Sequence, residues 1–599
     1  MASSSFANAN IDFVVYLEPK LAKQKISKND SATENEIIYL IEGKNGNISA
    51  KIAKVNGEIT TGGVNEEPSQ LSDYKITLPK IQNGNPTITL DTEFHQDPKC
   101  QEVSFAFTQN YGYISQMPNS LETANYCSFN LKIGGVFIKK INFLMNYSFK
   151  KWCHLDTGTE ATRTAKRIES LCDTNKVKLL VDLNLSGENQ EIKIKDLSPL
   201  SAFKSLKSLD LSENVIDKLP RNIFVSMKEI ESLDLSTNQI EKIDGDIFSS
   251  NHKLKKLSLA ENRIESLPND IFFFLKELDL LYIHDNKISY LDNDIFSQNK
   301  KLELLSLYNN KLSTVPNNIF RNLVNLIDLH LADNFIENLS KETFNQNKNL
   351  KSLYLYNNKL KQLPADIFSE LKNLEKLWIR SNEIEDLDNN IFTHNNKLKE
   401  LYISGNNIRF LSKNLFSTLE NLEKLQLWQN KIENLDSDLF KNNTKLKELY
   451  LDFNKIKALP KELFSTLQDL NHLSLGNNEI ESIDSEIFFY NAKIERLFLS
   501  SNNLKNLPKE LFSKLSVLET LLLYSNKIEN LDSELFANNI KLKKLTLNHN
   551  NIKILPKGIF SNLNKLQELD LRSNFISNLE EIFRHNERLR NITKTREDN

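Results

Sequence analysis

The chain has 599 residues, with 76 Lys and Arg against 79 Asp and Glu and a formal net charge of −3. That length is too great for one compact core and calls for several domains or a repeat array. Near-balanced charge disfavours a basic nucleic-acid-binding protein, and no apolar run reaches membrane-spanning length.

The opening stretch, MASSSFANANIDFVVYLEPK, lacks the charged start and apolar core of a secretory signal. Either the protein is cytoplasmic, or this is a mature form whose signal has been removed and a start Met added. Residues 1–150 carry short alternating runs, IDFVVYL, NEIIYLIEG, YKITLP, PTITLDTEF, EVSFAF and CSFNLKI, divided by Gly, Asn and Pro. They read as a β-rich, sandwich-like domain. NEIIYLIEG is followed by polar, Gly-containing sequence that suits a long loop or a hairpin.

All four cysteines, Cys100, Cys127, Cys153 and Cys172, precede residue 179. An even number confined to one segment is the pattern of disulfides formed in an oxidising compartment. Of the three pairings the local ones, Cys100–Cys127 and Cys153–Cys172, are preferred; four buried free thiols is the alternative. Residues 151–178 have helical spacing (Ala161, Ala165, Ile168, Leu171, Cys172) and suit an N-terminal cap on a repeat array that begins at residue 179. The Asp-Thr-Gly at Asp156 occurs once, without the second carboxylate motif an aspartic protease needs, and reads as a turn and helix cap. No P-loop, G-x-S-x-G or H-E-x-x-H is present, so no catalytic residue, cofactor or metal is expected.

From residue 179 to 578 the frame L-x-x-L-x-L-x-x-N returns every 24 residues, with sixteen asparagines from Asn214 to Asn574 and Phe ten residues after each until the last repeat. Leucines on alternate positions define strands with one buried side. A single repeat cannot bury its leucines, so stacked neighbours must create the core. The Asn carboxamide, donor and acceptor at once, suits a ladder that satisfies backbone leaving the strand. A second, 48-residue period overlies the first. Repeats alternate between Leu-Pro and mostly Leu-Asp, with Ser340 and Ser412 as departures, and between apolar residues and Asn251, Asn299 and Asn347. Two readings stand: a convex or lateral surface suited to self-association, or duplication history with a second polar rung bonding to backbone. Residues 579–599 close the array as a C-terminal cap. Leu579, Ile582, Phe583, Leu589 and Ile592 read as one amphipathic helix, with TKTREDN as a frayed tail.

These motifs resemble the leucine-rich-repeat family over about Leu179 to Leu589. The LP..IF form is similar to the 24-residue class of extracellular animal receptors, and the entry IKDLSPLSAFKSLKSLDLS to bacterial internalin-type arrays. The resemblance implies an α/β solenoid of about 16–17 repeats with a parallel sheet on its concave face.

On that frame the outward residues lie four and two positions before each Asn. In the middle of the array they are strongly aromatic, whereas at the ends they are small and polar. The candidate partner-binding residues are Tyr282, His284, Tyr308, His330, Tyr354, Tyr356, Trp378, Arg380, Tyr402, Trp428, Tyr450 and Asp452. Tyr, Trp and Arg most often anchor protein interfaces, and on adjacent rungs they would make one contiguous exposed patch. His284 and His330 are two rungs apart, about 10 Å at strand spacing, too far for one zinc without other ligands. Cross-strand sheet stabilisation is the alternative role for these aromatics. The expectation is a non-enzymatic recognition protein, extracellular or at the cell surface, that binds a protein ligand in adhesion, host interaction or immune recognition. The alternatives are an intracellular scaffold, a secreted effector or a glycan-binding protein using the same face.

Overall fold

The computed structural model describes the backbone of nine strands between residues 14 and 144. It also describes residues 181–594 apart from 188–192, 196, 198–199, 201–202 and 585–586. Two compact units divide the chain: Met1–Leu179 with Asp196–Ala202, and Leu180–Lys195 with Phe203–Asn599.

In the first unit the strands are β1 (Val14–Leu17), β2 (Ile37–Lys44), β3 (Asn47–Val55), β4 (Glu58–Ile59), β5 (Ile88–Thr92), β6 (Ser104–Phe107), β7 (Gly112–Gln116), β8 (Tyr126–Ile133) and β9 (Val136–Leu144). They form sheets ordered β1-β2-β3-β4, β5-β8-β9 and β6-β7, antiparallel throughout. The polar stretch after NEIIYLIEG is a hairpin, with Lys44 opposite Asn47. The apolar stretch around Phe137 is strand β9, paired with β8. YKITLP, the cap at 151–178, Asp156 and three of the cysteines lie outside the described residues. Cys127 falls on β8.

The second unit is a stack of rungs. Strands β10 (Asp182–Asn184), β11 (Ser208–Asp210) and then one every 24 residues to β26 (Glu568–Asp570) pair in parallel. Pairing is strictly in register: Leu353 lies beside Leu329 and Leu377. The entry rung is offset by 26 residues rather than 24, with Leu183 beside Leu209. The central Leu of every rung strand is buried. The residue before each ladder Asn has positive φ, from Glu213 to Ser573, and is Gly only at Gly405. This left-handed kink, ordinarily disfavoured in L residues, ends each strand and turns the chain into the rung.

The ladder meets the expectation bond for bond. Asn358 Nδ2 donates to the carbonyls of Leu331 (3.0 Å), Leu355 (3.1 Å) and Tyr356 (3.3 Å), and its Oδ1 accepts from Ile336 N (3.0 Å). Removing such a carboxamide would leave several buried peptide groups without partners.

The 48-residue period has a physical basis in the core. Phe rings stack in pairs, Phe224 on Phe248 (5.8 Å) and so on to Phe512 on Phe536 (6.1 Å), where Phe560 adds a third ring (6.3 Å). The Asn of alternate rungs is fully buried; Asn395 Nδ2 donates to Phe368 O (3.0 Å) and Leu371 O (3.0 Å) one rung back. Where the rung reads Leu-Asp, the carboxylate caps the backbone two residues on, as in Asp388 to Asn390 N (2.8 Å). Ser340 and Ser412 do the same with a hydroxyl. The alternation is therefore spent on backbone, which is the second-rung reading.

At the far end the expected single helix is broken into α1 (Leu579–Phe583) and α2 (Glu587–Ile592). Phe583 and Leu589 are buried. Arg588 donates to Leu563 O and Leu566 O, covering carbonyls that no further rung satisfies. Thr593 and Lys594, expected to fray, form β27 and extend the sheet beside β26.

Candidate functional site

A rung strand has three outward positions, not two: six, four and two residues before the ladder Asn. The first is opened by Ser352, Lys376, Glu400, Lys424, Glu448 and His472 in the middle of the array, and it is absent from the two columns expected above. Continuing the period-two alternation one step back from the first strand Leu finds it.

The aromatic residues do meet, but as three clusters. His330, Tyr354, Trp378 and Tyr402 form an unbroken run over four rungs, at 4.4, 4.9 and 4.8 Å between centroids. Trp378 lies nearly parallel to Tyr402 (13°) and edge-on to Tyr354 (82°), the geometries ring quadrupoles favour. Tyr356 joins this run through Trp378 (6.2 Å). A smaller group stacks His284 on Tyr308 (4.6 Å) with Tyr282 edge-on (6.0 Å). Ser306 separates the two groups in the column shared by Tyr282 and His330. The third group lies beyond the expected end of the patch, with His472 against Tyr450 (4.7 Å) and Phe498 (4.8 Å). Trp428 makes no ring contact among the described residues.

Lys424, from the additional column, spans the gap at Gln426. Its Nζ lies over Tyr402 (5.8 Å) and Tyr450 (5.9 Å) and is 2.9 Å from Glu448 Oε2. Glu448 also accepts from Tyr450 Oη (2.8 Å). Burial would raise the Glu448 carboxyl, but the bonds from Lys424 and Tyr450 outweigh it and hold it low. The Tyr450 phenol is pushed up to about 12 by burial and by its bond to that carboxylate. Tyr402 is likewise raised, by burial first and then by Glu400, which pairs with Lys376 at 3.4 Å. These tyrosines are neutral hydrogen-bonding groups at any physiological pH.

One expectation needs correction. The rings are half-buried rather than exposed, because each lies against its rung neighbour; the large apolar side chains that stand exposed are elsewhere, Phe453 (55%) and Phe410 (67%) among them. Glu400 and Glu448 add carboxylates to this face from the additional column. Asp452 is engaged within the chain, accepting from Ser474 Oγ and Gly476 N, and burial raises its carboxyl. Its neighbour Phe453 holds the left-handed turn (φ 53°), where most other rungs use a polar residue. An apolar residue in that otherwise polar column is a signal the sequence carries. No cluster of His, Cys, Asp and Glu suited to a metal exists among the described residues.

Comparison with known proteins bears on the scaffold. A family model described as leucine rich repeat matches residues 178–240, 228–288 and a series of windows from 420 to 593. A second, described as BspA type leucine rich repeat region, matches 278–399 and 313–447. No curated protein sequence matches the chain. Among solved structures the chain is similar to the Leptospira interrogans LRR protein LIC12759, with TM-score 0.57 and 32% identity over 65% of this chain and 94% of that one. It is also similar to TLR13 in its complex with ssRNA13 (TM-score 0.58, 26% identity, 70% of this chain and 62% of that one). The structure of Drosophila Toll with Spatzle shares the fold (TM-score 0.61, 21% identity, 81% and 67% coverage).

Proposed function

The chain belongs to the leucine-rich-repeat family, and on that footing we propose that it is a non-enzymatic recognition protein whose outer sheet face binds a protein ligand. One observation carries the reading: the ring run from His330 to Tyr402 continues through Lys424 to Tyr450 and His472, on the face that the scaffold bonds leave free. Pre-packed rings lose little side-chain entropy on binding, and large Tyr and Trp surfaces dominate interface energetics. Adhesion, host interaction and immune recognition all fit a surface of this kind.

The TLR13 structure is a complex with RNA, which raises nucleic acid as a second reading. Charge favours protein instead. Lys376 and Lys424 are neutralised by Glu400 and Glu448, whereas RNA binding draws on unpaired cations along the backbone path. A glycan would want free carboxylates beside open ring faces, and here the carboxylates are committed to lysines and the rings to one another.

We place the protein outside the cell or at its surface, on the strength of the four-cysteine segment; no described helix is long and apolar enough to cross a membrane. Four free thiols in native protein would move it to the cytoplasm, as a scaffold using the same face. The binding reading is tested by affinity capture on the full chain, comparing wild type with Trp378→Ala/Tyr356→Ala and with Leu522→Ala/Tyr524→Ala as control. Capture should be lost in the first variant and kept in the second. Because Trp378 contacts Tyr354, Tyr356 and Tyr402, the first variant should also lose about 1–2 kcal/mol of stability. Equal capture by both variants moves the site off this face.

A further inference from the structure

Between Tyr282 and Tyr450 the three outward columns carry three permanent cations, Lys376, Arg380 and Lys424. Two of them face a carboxylate, at 3.4 Å for Lys376–Glu400 and 2.9 Å for Lys424–Glu448. Arg380 has no carboxylate in ion-pair reach among the described residues. Its guanidinium carbon instead lies 4.3 Å from the centre of the Tyr356 ring. A stacked guanidinium keeps its in-plane N–H donors available, so the ring orients the group without satisfying it.

The neighbouring positions reinforce the sign of what is wanting. Trp378, two residues earlier on the same rung, has a buried indole Nε1 with no hydrogen-bond partner. Ser404, the next rung's residue in the Arg380 column, is 1% exposed and its hydroxyl has no partner either. An indole N–H is only a donor, and a guanidinium is only a donor. Apart from the Ser404 hydroxyl, which can give or receive, the unmatched groups here are donors.

We propose that Arg380, held flat on Tyr356 beside Trp378, is the anchor for a carboxylate of the protein partner, an Asp or Glu side chain seated on this stretch of the sheet. The inference rests on the reading of this face as protein-binding. An arginine fork matches a carboxylate with two parallel bonds, which sets the partner's orientation as well as its affinity. The lysines on either side cannot substitute, because each already has its own acid.

The test uses the full chain, immobilised, and a displayed library of random 12-residue peptides, with Trp378→Ala as counter-selection. Peptides that require Trp378 should share an acidic position. Arg380→Gln should weaken them about 30-fold, the low end expected on truncating a charge pair at an interface, and Arg380→Glu, which adds repulsion, by more. Exchanging the peptide acid for Lys should restore binding to Arg380→Glu. Both Arg380 variants should stay folded with the same small drop in unfolding temperature, that of losing the Tyr356 ring contact, since no rung bond uses this side chain. Trp378-dependent peptides without an acidic position, or with equal affinity for Arg380→Glu, overturn the proposal and leave the face as a binding surface. If no peptide depends on Trp378, both readings fall.

Discussion

The rungs around Trp378 and those around Leu522 are built on the same bonds. Asn382 Nδ2 reaches Leu355 O at 3.0 Å and Asn526 Nδ2 reaches Leu499 O at 2.9 Å. Phe368 stacks on Phe392 at 6.2 Å and Phe512 on Phe536 at 6.1 Å. Outside, the first strip presents Tyr354, Trp378 and Tyr402, and the second Leu522, Thr546 and Asp570. The inner bonding is indifferent to what the outer face carries. A solenoid that satisfies its backbone from within can change its exposed columns rung by rung, so differences between strips report on use rather than on folding.

That comparison can be broken most directly in the core. Phe368→Ala and Phe512→Ala should each cost about 3–5 kcal/mol, the usual loss for a buried Phe, and should cost the same in both strips. Urea midpoints measure this; a clearly larger loss at Phe368 would mean that the aromatic strip supports the scaffold after all.

A smaller effect sits at the join between the strips. His472 is 4% exposed with neither ring nitrogen hydrogen-bonded, and it lies among Tyr450, Glu448, Lys424, Arg496 and Phe498. Burial, and then the Arg496 charge, hold its pKa down at about 4 against an ordinary 6.5. The unfolded chain thus binds a proton that the fold excludes. Its contribution is complete above about pH 6.5, declines as pH falls, and stops changing below about pH 4. Carboxylates titrate in the same window, so the measurement is the difference between wild type and His472→Gln. That difference should change by on the order of 2 kcal/mol between pH 7.5 and 4. A constant difference would mean that His472 takes up its proton as readily in the fold as in the unfolded chain.

The smallest effect distinguishes two kinds of ion pair. Lys424→Met breaks a half-buried pair that also bridges two rings, and should cost about 1 kcal/mol. Lys255→Met breaks an exposed pair with Glu231, and should leave thermal unfolding unchanged. Equal outcomes would show that Lys424 does not join the aromatic clusters.

The site is partly legible in the sequence. Tyr354, Trp378 and Tyr402 fall in one column because a 24-residue frame places them there, and the register confirms their adjacency. Lys376, Glu400, Lys424, Glu448 and His472 escape a frame that starts the strand at its first Leu, because they stand one step before it. The break at Ser306 and the link through Lys424 depend on ring directions and side-chain reach, which a column of letters does not contain.

By itself the sequence determined the rung, its period, its buried leucines and the Asn ladder, because each is a local rule repeated without interruption. Even the 48-residue alternation was visible, with its cause left between two readings. Only the tertiary structure decided that the alternation is spent on backbone, that the aromatic rings are half-buried against one another, and that Arg380 is the cation left without an acid in that strip. Those outcomes turn on distances between residues 24 apart in sequence. Stacking at strand spacing brings such residues into contact, and each then takes its partner from the rungs on either side.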